Sequence, residues 1–374
     1  MENVNQSTAI FPRSRSRFQL ESTPTPGFLS GEDVRGACTA LNTKRAYKSY
    51  INGISKWILE NLPSPESFFD TDGELNVAVF TASHFETFLL DKMNSKSLKV
   101  STLSGYRSAV KNIYRQKKIS LPPEYLDDMK TFFRGLKRIE TDNDQNGTGR
   151  KSGKSPLSFS LYQMLCQKTI RLLDSGFAHL YLVLQWNLMC RSKSIETVHV
   201  SHLNCLDDSI GCVLHKTKTN QEGSGPKDPR HIYANPLNPS ICCVLALGIY
   251  FASNPTLISG MLFPGSNEKS RFSKKLGVLL KNETGDKAFG THSIRKGVAT
   301  FASSGSTGGP SMASVCLRCG WSLGGVQDRY IRYEAAGDQY LGRVVAGLPL
   351  DSPNFAVLPP HFKNLNESLK LLYK

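Results

Sequence analysis

Residues 177–190 read FAHLYLVLQWNLMC, the longest apolar stretch of the chain, broken only by His179, Gln185 and Asn187. A helix that crosses a bilayer needs about 18 to 20 predominantly apolar residues. This run is too short and too interrupted for that, and it reads as a helix buried inside a folded core. The 374 residues suffice for two domains of moderate size or one large one. Hydrophobic residues make up 39% of the chain, as in a folded globule. Only 21% are charged, yet the net charge is +15, an excess of sign and not of polarity. That balance suits a polyanionic partner, and with no lipidation motif at either end nucleic acid is favoured over an acidic membrane face. Met1–Gln19 is polar and basic apart from Ala9-Ile10-Phe11, so no cleavable signal is expected and the protein is expected inside the cell. The nine cysteines are odd in number and scattered, which predicts reduced thiols. Cys316-x-x-Cys319 has no second pair to complete a zinc site, so no metal is expected.

Working outward from this helix, residues 1–30 are rich in Ser, Thr, Pro and Arg without apolar period, the composition of a disordered basic arm. A helical domain is expected over 31–138. Its first helix is expected from an N-cap at Thr43, with Tyr47, Tyr50, Ile51, Ile54, Trp57 and Ile58 inward until Pro63 stops it. A second is expected from the capping box Ser83-x-x-Glu86, carrying Phe85, Phe88, Leu89 and Met93. A third, from about Ser101, places Leu103, Tyr106, Val110, Ile113 and Tyr114 on one side and Arg107, Lys111, Arg115 and Lys118 along another. A fourth, over Glu124–Arg138, turns Phe132, Phe133 and Leu136 inward and leaves Lys130, Arg134, Lys137 and Arg138 for solvent or phosphate. A basic helix face is commonly just solvated; the total charge favours DNA here. Residues 139–156 have linker composition. Beyond them, helices at about 160–173 and 177–192 precede a β-hairpin of Val198–Asn204 and Ile210–His215, a strand at Arg230–Ala234, and further helices from Ser240. The fold class expected is α+β and mainly helical, an all-α domain followed by a domain (157–350) with a small antiparallel sheet.

Several side chains suited to phosphate chemistry fall at element ends in this second domain. Arg191 closes the apolar helix, Lys218 lies between strands, His292 and Arg295 share a helix face by their spacing of three, and Trp321 is followed nine residues later by Tyr330. Singly each has a bland explanation; in this order they do not. The phrases MCRSKSIETV, HKTKTNQ, THSIRKGVATF and CGWSLGGVQDRYIRY resemble the tyrosine recombinase (phage integrase) superfamily, whose order is Arg, Lys, His-x-x-Arg, His or Trp, then Tyr. The match runs from residue 43 to about 345. More closely, HSIRKGVATFASSG, GWSLGGVQDRYIRYEAAGDQYLGR and FAVLPPHF look like Cryptons, eukaryotic DNA transposons that encode such a recombinase.

The resemblance implies a SAM-like core-binding domain and an integrase-like catalytic domain that clamp DNA. It also implies attack by Tyr330 on a phosphodiester, leaving a 3′-phosphotyrosine and a 5′-hydroxyl, with no cofactor, since the covalent intermediate keeps the bond energy. Arg191 and Arg295 would hold the nonbridging oxygens, His292 would serve as base, Lys218 as general acid, and Trp321 would position the phosphate. Tyr333 is the rival nucleophile and Tyr340 a distant third; the spacing from Trp321 favours Tyr330. Many members carry an acidic residue three positions after the first arginine, where this chain has Ser194, and Glu196 is the candidate to stand in for it. The functions to weigh are excision and integration of a mobile element, a catalytically silent DNA-binding regulator derived from one, and a type IB topoisomerase. Retention of all six catalytic positions and the core-binding domain favour the first. The resemblance implies a nuclear protein working on double-stranded element ends and target DNA as a homo-oligomer, dimer or tetramer. The apolar tail 351–374 (Phe355, Val357, Leu358, Leu365, Leu369) is expected to pack on a neighbouring subunit.

Overall fold

The computed structural model describes residues 30–95, 98–146, 153–215, 222–223, 228–281, 289–304, 309–321 and 336–350. Two compact units divide the chain, residues 1–151 and 152–374.

The first unit is built from helices α1 (Gly31–Ala37), α2 (Leu41–Asn61), α3 (Ala82–Asn94), α4 (Val100–Gln116) and α5 (Asp127–Gln145). Ile54, Trp57 and Ile58 of α2, Phe85, Phe88 and Leu89 of α3, Leu103 and Val110 of α4, and Met129, Phe133 and Leu136 of α5 form one apolar core. Their recurrence every three or four residues is what makes each segment an amphipathic helix. Helices α2 and α4 approach closely because each offers a glycine to the other's tyrosine. A Cβ on Gly105 would lie 2.5 Å from the Tyr50 hydroxyl, and one on Gly53 would lie 2.7 Å from that of Tyr106.

The element boundaries depart from the sequence expectation in ways local chemistry explains. Helix α2 begins before Thr43, after Ala40. Helix α3 is capped by Thr81, whose N–H and hydroxyl both meet His84 Nδ1, at 3.3 and 2.9 Å, so the Ser83–Glu86 box is not used. Asp127 and Asp128 occupy the first turn of α5, where carboxylates favour the helix dipole. That helix runs on to Gln145, so the first part of the expected linker 139–156 is helical; Glu140 there accepts the Val100 N–H at 3.1 Å.

The second unit is α+β and mainly helical, with one small antiparallel sheet. Its helices are α6 (Phe159–Thr169), α7 (Phe177–Asn187), α8 (Ser192–Glu196), α9 (Cys243–Ser253), α10 (Glu268–Lys281), α11 (Thr291–Ser304), α12 (Met312–Cys319) and α13 (Ala336–Val345). The strands β1 (Leu203–Cys205), β2 (Ile210–Cys212) and β3 (Arg230–Ile232) pair in chain order, Leu203 opposite Cys212 and Cys212 opposite Arg230. All three are shorter than expected: the stretch before β1 is a 3₁₀ turn, Val200–His202, and the bonded ladder stops at Cys212 and Ile232. The helix expected over 160–173 ends at Thr169.

The apolar run 177–190 supplies α7, and every residue of that helix is buried. Its three polar interruptions are each used. His179 Nδ1 meets the Thr169 hydroxyl at 3.0 Å, which ties α6 to α7. Gln185 Nε2 donates to the Thr291 carbonyl at 2.8 Å, fixing the start of α11. Asn187 Nδ2 donates back to the Val183 carbonyl of the same helix at 2.9 Å, while the Asn187 backbone carbonyl receives Arg318 of α12. Trp186 adds a bond from its indole N–H to the Val345 carbonyl at the end of α13, at 3.1 Å. One helix is thus bonded to the elements that carry the sequence-predicted site.

Helix α11 lies against the strand of chain before α6, where the Leu157 N–H donates to the Ser293 carbonyl at 3.0 Å. A Cβ on Gly297 would lie 2.1 Å from the Leu157 carbonyl oxygen, and backbone cannot swing aside as a side-chain tip can. Gly297→Ala should therefore destabilise the protein by about 1 to 3 kcal/mol or more, read as a lowered midpoint of urea unfolding. An unchanged midpoint would show that α11 is free to shift.

Candidate active site

The site forms where α7 ends. Leu188 continues in helical conformation and Met189 turns into the left-handed region, with φ of +50° for a non-glycine residue. The chain then emerges through Cys190 to Arg191, which is extended and immediately precedes α8. Tyr181, two turns back on α7, secures this exit: its hydroxyl donates to the Ser192 carbonyl at 2.7 Å and meets the Ser192 hydroxyl at 2.9 Å.

A helix end leaves its last carbonyls without partners, and in a buried end they must be found elsewhere. Two arginines supply them. Arg318 donates from Nε and Nη2 to the Asn187 carbonyl, at 3.2 and 2.8 Å, and from Nη2 to the His231 carbonyl at 2.8 Å. Arg230, the first residue of β3, donates from Nη1 to the Leu188 carbonyl at 2.9 Å. Arg318 is fully buried and its charge is answered by Asp338 of α13, also fully buried. Asp338 Oδ2 further accepts the His231 N–H at 2.6 Å and lies 2.9 Å from His231 Nδ1. Burial alone would raise the Asp338 carboxyl, but Arg318 and the His231 bonds outweigh it and hold it down to about 2. This clasp joins α7, β3, α12 and α13.

On α11, His292 and Arg295 stand one turn apart, as their spacing predicts. His292 is exposed, while Arg295 is only 2% exposed. Arg295 Nη2 donates to the Cys319 carbonyl at the end of α12, and its guanidinium lies 5.4 Å from the ring of Trp321. Its Nε is buried with no partner in the described structure. Trp321 is 40% exposed and held by its backbone N–H to the Cys316 carbonyl at 2.8 Å. Partial desolvation of its ring, although the residue is exposed overall, lowers the His292 pKa below the ordinary 6.5, and the charges of Arg295, Lys296 and Arg191 add to the effect. At neutral pH His292 is therefore unprotonated and able to accept a proton. Burial, followed by Arg191 and Arg230 among its charged neighbours, likewise lowers the pKa of Arg295. Among the described residues no carboxylate pairs with Arg191, Arg230 or Arg295.

The structure thus gathers Arg191, His292, Arg295 and Trp321 from three parts of the chain. Lys218, Tyr330 and the rival Tyr333 lie outside the described residues; Tyr340 is partly buried in α13. Glu196 does not take up the part left open by Ser194. Its Oε2 pairs with Lys193 at 2.5 Å and its Oε1 accepts the Lys269 N–H at 3.2 Å, so its carboxylate is committed to α8 and α10. Ser194 itself is buried. Cys190 and Cys319 flank the arginines, but burial pushes Cys190 up to about 11 and raises Cys319, which leaves both as inert thiols. All nine cysteines are free, and no metal-ligating cluster exists among the described residues.

The expected DNA-facing residues of the first unit divide. Lys111 is partly buried, and burial together with Arg107 and Lys130 lowers its pKa, so the cations of α4 and α5 do converge. Arg134 and Lys137 are exposed on α5, and Arg115 on α4. Arg107, however, lies 4.5 Å over the Phe133 ring, and Lys130 pairs with Asp127 at 3.1 Å. Lys118 is not on the shared helix face: α4 ends at Gln116, and Lys118 follows with φ of +56°.

Sequence reasoning missed Arg230, Arg318, Asp338 and His231. The one trace they leave is a charged residue at a core-facing position, Arg318 between Val315 and Cys319 on the buried side of α12, and Asp338 three before buried Leu341.

No family model matches the chain, and no curated protein matches it. Among solved structures it is similar to one described as "Crystal structure of XerA recombinase", at 15% identity over 91% of this chain and 94% of that one, with a TM-score of 0.33. It is also similar to the integrase from mycobacterium phage Brujita, at 10% identity over 91% and 94%, with a TM-score of 0.35. At such distances the chemistry must be argued from the residues themselves.

The His292 environment can be tested without reference to any reaction. Its imidazole should titrate below 6.5 by NMR, and in Arg295→Gln the midpoint should move up toward 6.5, because removing a neighbouring cation favours the protonated ring. A midpoint above 6.5 in the unaltered protein would contradict the placement of these cations.

Proposed function

We propose that the protein is a tyrosine recombinase that cuts and rejoins double-stranded DNA through a 3′-phosphotyrosine intermediate. The observation that carries this reading is the convergence of Arg191 and Arg295, unpaired with any carboxylate among the described residues, beside a neutral His292 at the buried end of α7. A buried cation without a counterion is costly, and a site that keeps one is built for an anion that arrives from outside. Arginine suits a phosphodiester because its planar fork meets two oxygens at once.

On this reading the Tyr330 oxygen forms a bond to the scissile phosphorus as the bond to the 5′-oxygen breaks. The Tyr330 proton passes to His292, and Lys218 gives a proton to the departing 5′-oxygen. A free tyrosine titrates near pH 10, so a base or a cationic surrounding is required, and the site has both. Negative charge growing on the nonbridging oxygens is met by Arg191 and Arg295, already fixed before the reaction starts. Trp321, held near Arg295, presents an indole that can pack on the phosphate but cannot relay a proton. A 5′-hydroxyl from another strand then reverses the step, so that neither a metal nor ATP is called for. The Crypton-like phrases extend the proposal to a nuclear enzyme that excises and integrates a mobile element as a homo-oligomer. Of the basic residues of the first unit, Lys111, Arg115, Arg134 and Lys137 are proposed to contact the DNA backbone.

Nicked suicide duplexes made from the DNA flanking the coding region test the chemistry. A covalent protein–DNA band on a denaturing gel should form with the unaltered protein and with Tyr333→Phe, and vanish with Tyr330→Phe. Loss only in Tyr333→Phe would move the nucleophile by three residues, and DNA binding without any band would favour a silent regulator. Binding should weaken steeply with salt, and Lys111→Ala or Arg134→Ala should each flatten the log–log salt slope by roughly one. An unaltered slope would remove that residue from the interface.

A further inference from the structure

From the same geometry we infer that Arg230 is a third arginine of the phosphate site, binding a nonbridging oxygen of the scissile phosphate beside Arg191 and Arg295. The inference rests on the recombinase reading and deepens it. Arg230 lies far in sequence from the other two, at the start of β3, and is brought to them by the sheet: it pairs with Cys212 of β2 and reaches under the end of α7. One nitrogen, Nη1, is spent on the Leu188 carbonyl, three residues before Arg191. Among the described residues nothing else bonds its guanidinium, and it has no ion pair.

Its Nη2 points to the end of α12, 4.0 Å from where a Cβ on Gly320 would stand. Arg295 bonds the carbonyl of Cys319, the neighbouring residue, so the two guanidinium groups bracket one helix end. They are close enough that Arg230 lowers the pKa of Arg295. The helix end accounts for only part of Arg230. Its single bond to Leu188 would be made as well by a lysine, whereas the remaining edge of a planar fork, half-buried beside two more unpaired arginines, has no partner among the described residues. Arg318 shows the contrast: it also caps α7, and it is fully buried with its charge answered by Asp338. Among the described residues Arg230 has no such carboxylate, which is what a group reserved for an incoming anion requires.

The test uses the same nicked duplexes, with the scissile phosphate either native or replaced by a methylphosphonate, in which a methyl group takes the place of one nonbridging oxygen and the negative charge is lost. Arg230→Ala should slow covalent complex formation on phosphate DNA by about 100-fold and recover most of that loss on methylphosphonate DNA. Arg230→Lys, which keeps the charge and a donor for Leu188, should fall between Arg230→Ala and the unaltered protein on phosphate DNA. Undiminished cleavage by Arg230→Ala, or a loss that methylphosphonate does not relieve, would overturn the inference, the second by assigning Arg230 a purely structural role. Neither outcome would touch the recombinase reading, because the Tyr330-dependent band of the unaltered protein would remain. Absence of that band would overturn both.

Discussion

The buried C-terminus of α7 is the constraint on which the second unit depends. A helix enclosed on every side can sit in a core because its apolar and aromatic side chains fill it, but its last carbonyls cannot be left dry and unpaired. Here they are met by guanidinium groups from β3 and α12, which fixes the sheet and a second helix against the same point. A helix C-terminus also carries partial negative charge, so cations gather there at lower cost than elsewhere in a core. The same end then delivers Arg191 to the surface through a left-handed Met189. Packing, helix capping and placement of the candidate site are thus one arrangement, and a change to any of its members affects all three.

Charge within this arrangement is distributed unevenly. Arg318 and Asp338 form a closed pair, fully buried and mutually satisfied, whose loss on one side would leave an uncompensated buried charge at a cost of about 3 to 5 kcal/mol. Arg295 is equally enclosed but is left with a backbone carbonyl, an aromatic ring and an unpartnered Nε. The first serves to hold the fold together. The second leaves a buried cation uncompensated, at the expense of stability, and adds to the desolvation that already lowers the pKa of His292 nearby. The two kinds of arginine lie within one cluster and differ in whether a carboxylate reaches them.

Much of this was legible in the sequence, and the limits are physical. The amphipathic periods of α2 to α5, the buried α7 and the His292–Arg295 face follow from spacing alone, because a helix converts spacing directly into direction. The helix starts were misplaced where a cap is chosen by competition. Thr81 with His84 prevails over Ser83 with Glu86, and no local rule ranks a histidine as the partner. His179 and Gln185 within α7 could be read as interruptions but not as bonds, since their partners Thr169 and Thr291 are set by tertiary packing. Arg230 was invisible for the same reason. Its meaning lies in the carbonyl it reaches 42 residues back, and a lone arginine at a strand start has no pattern to mark it.

Ser194 draws these threads together. Where a carboxylate beside the first arginine could orient it, this chain has a small buried hydroxyl residue, and the nearest acid, Glu196, is turned to Lys193 and the start of α10. Orientation of Arg191 must then come from the backbone on either side of it. The left-handed turn at Met189, the Tyr181 bonds to Ser192 and the first turn of α8 supply it, each fixed by burial and not by charge. An arginine held in this way keeps its cationic field, because among the described residues no carboxylate pairs with it. The missing acid and the unpaired arginines therefore go together: the backbone around Arg191 is fixed by packing, and among the described residues no carboxylate cancels the charge of Arg191, Arg230 or Arg295.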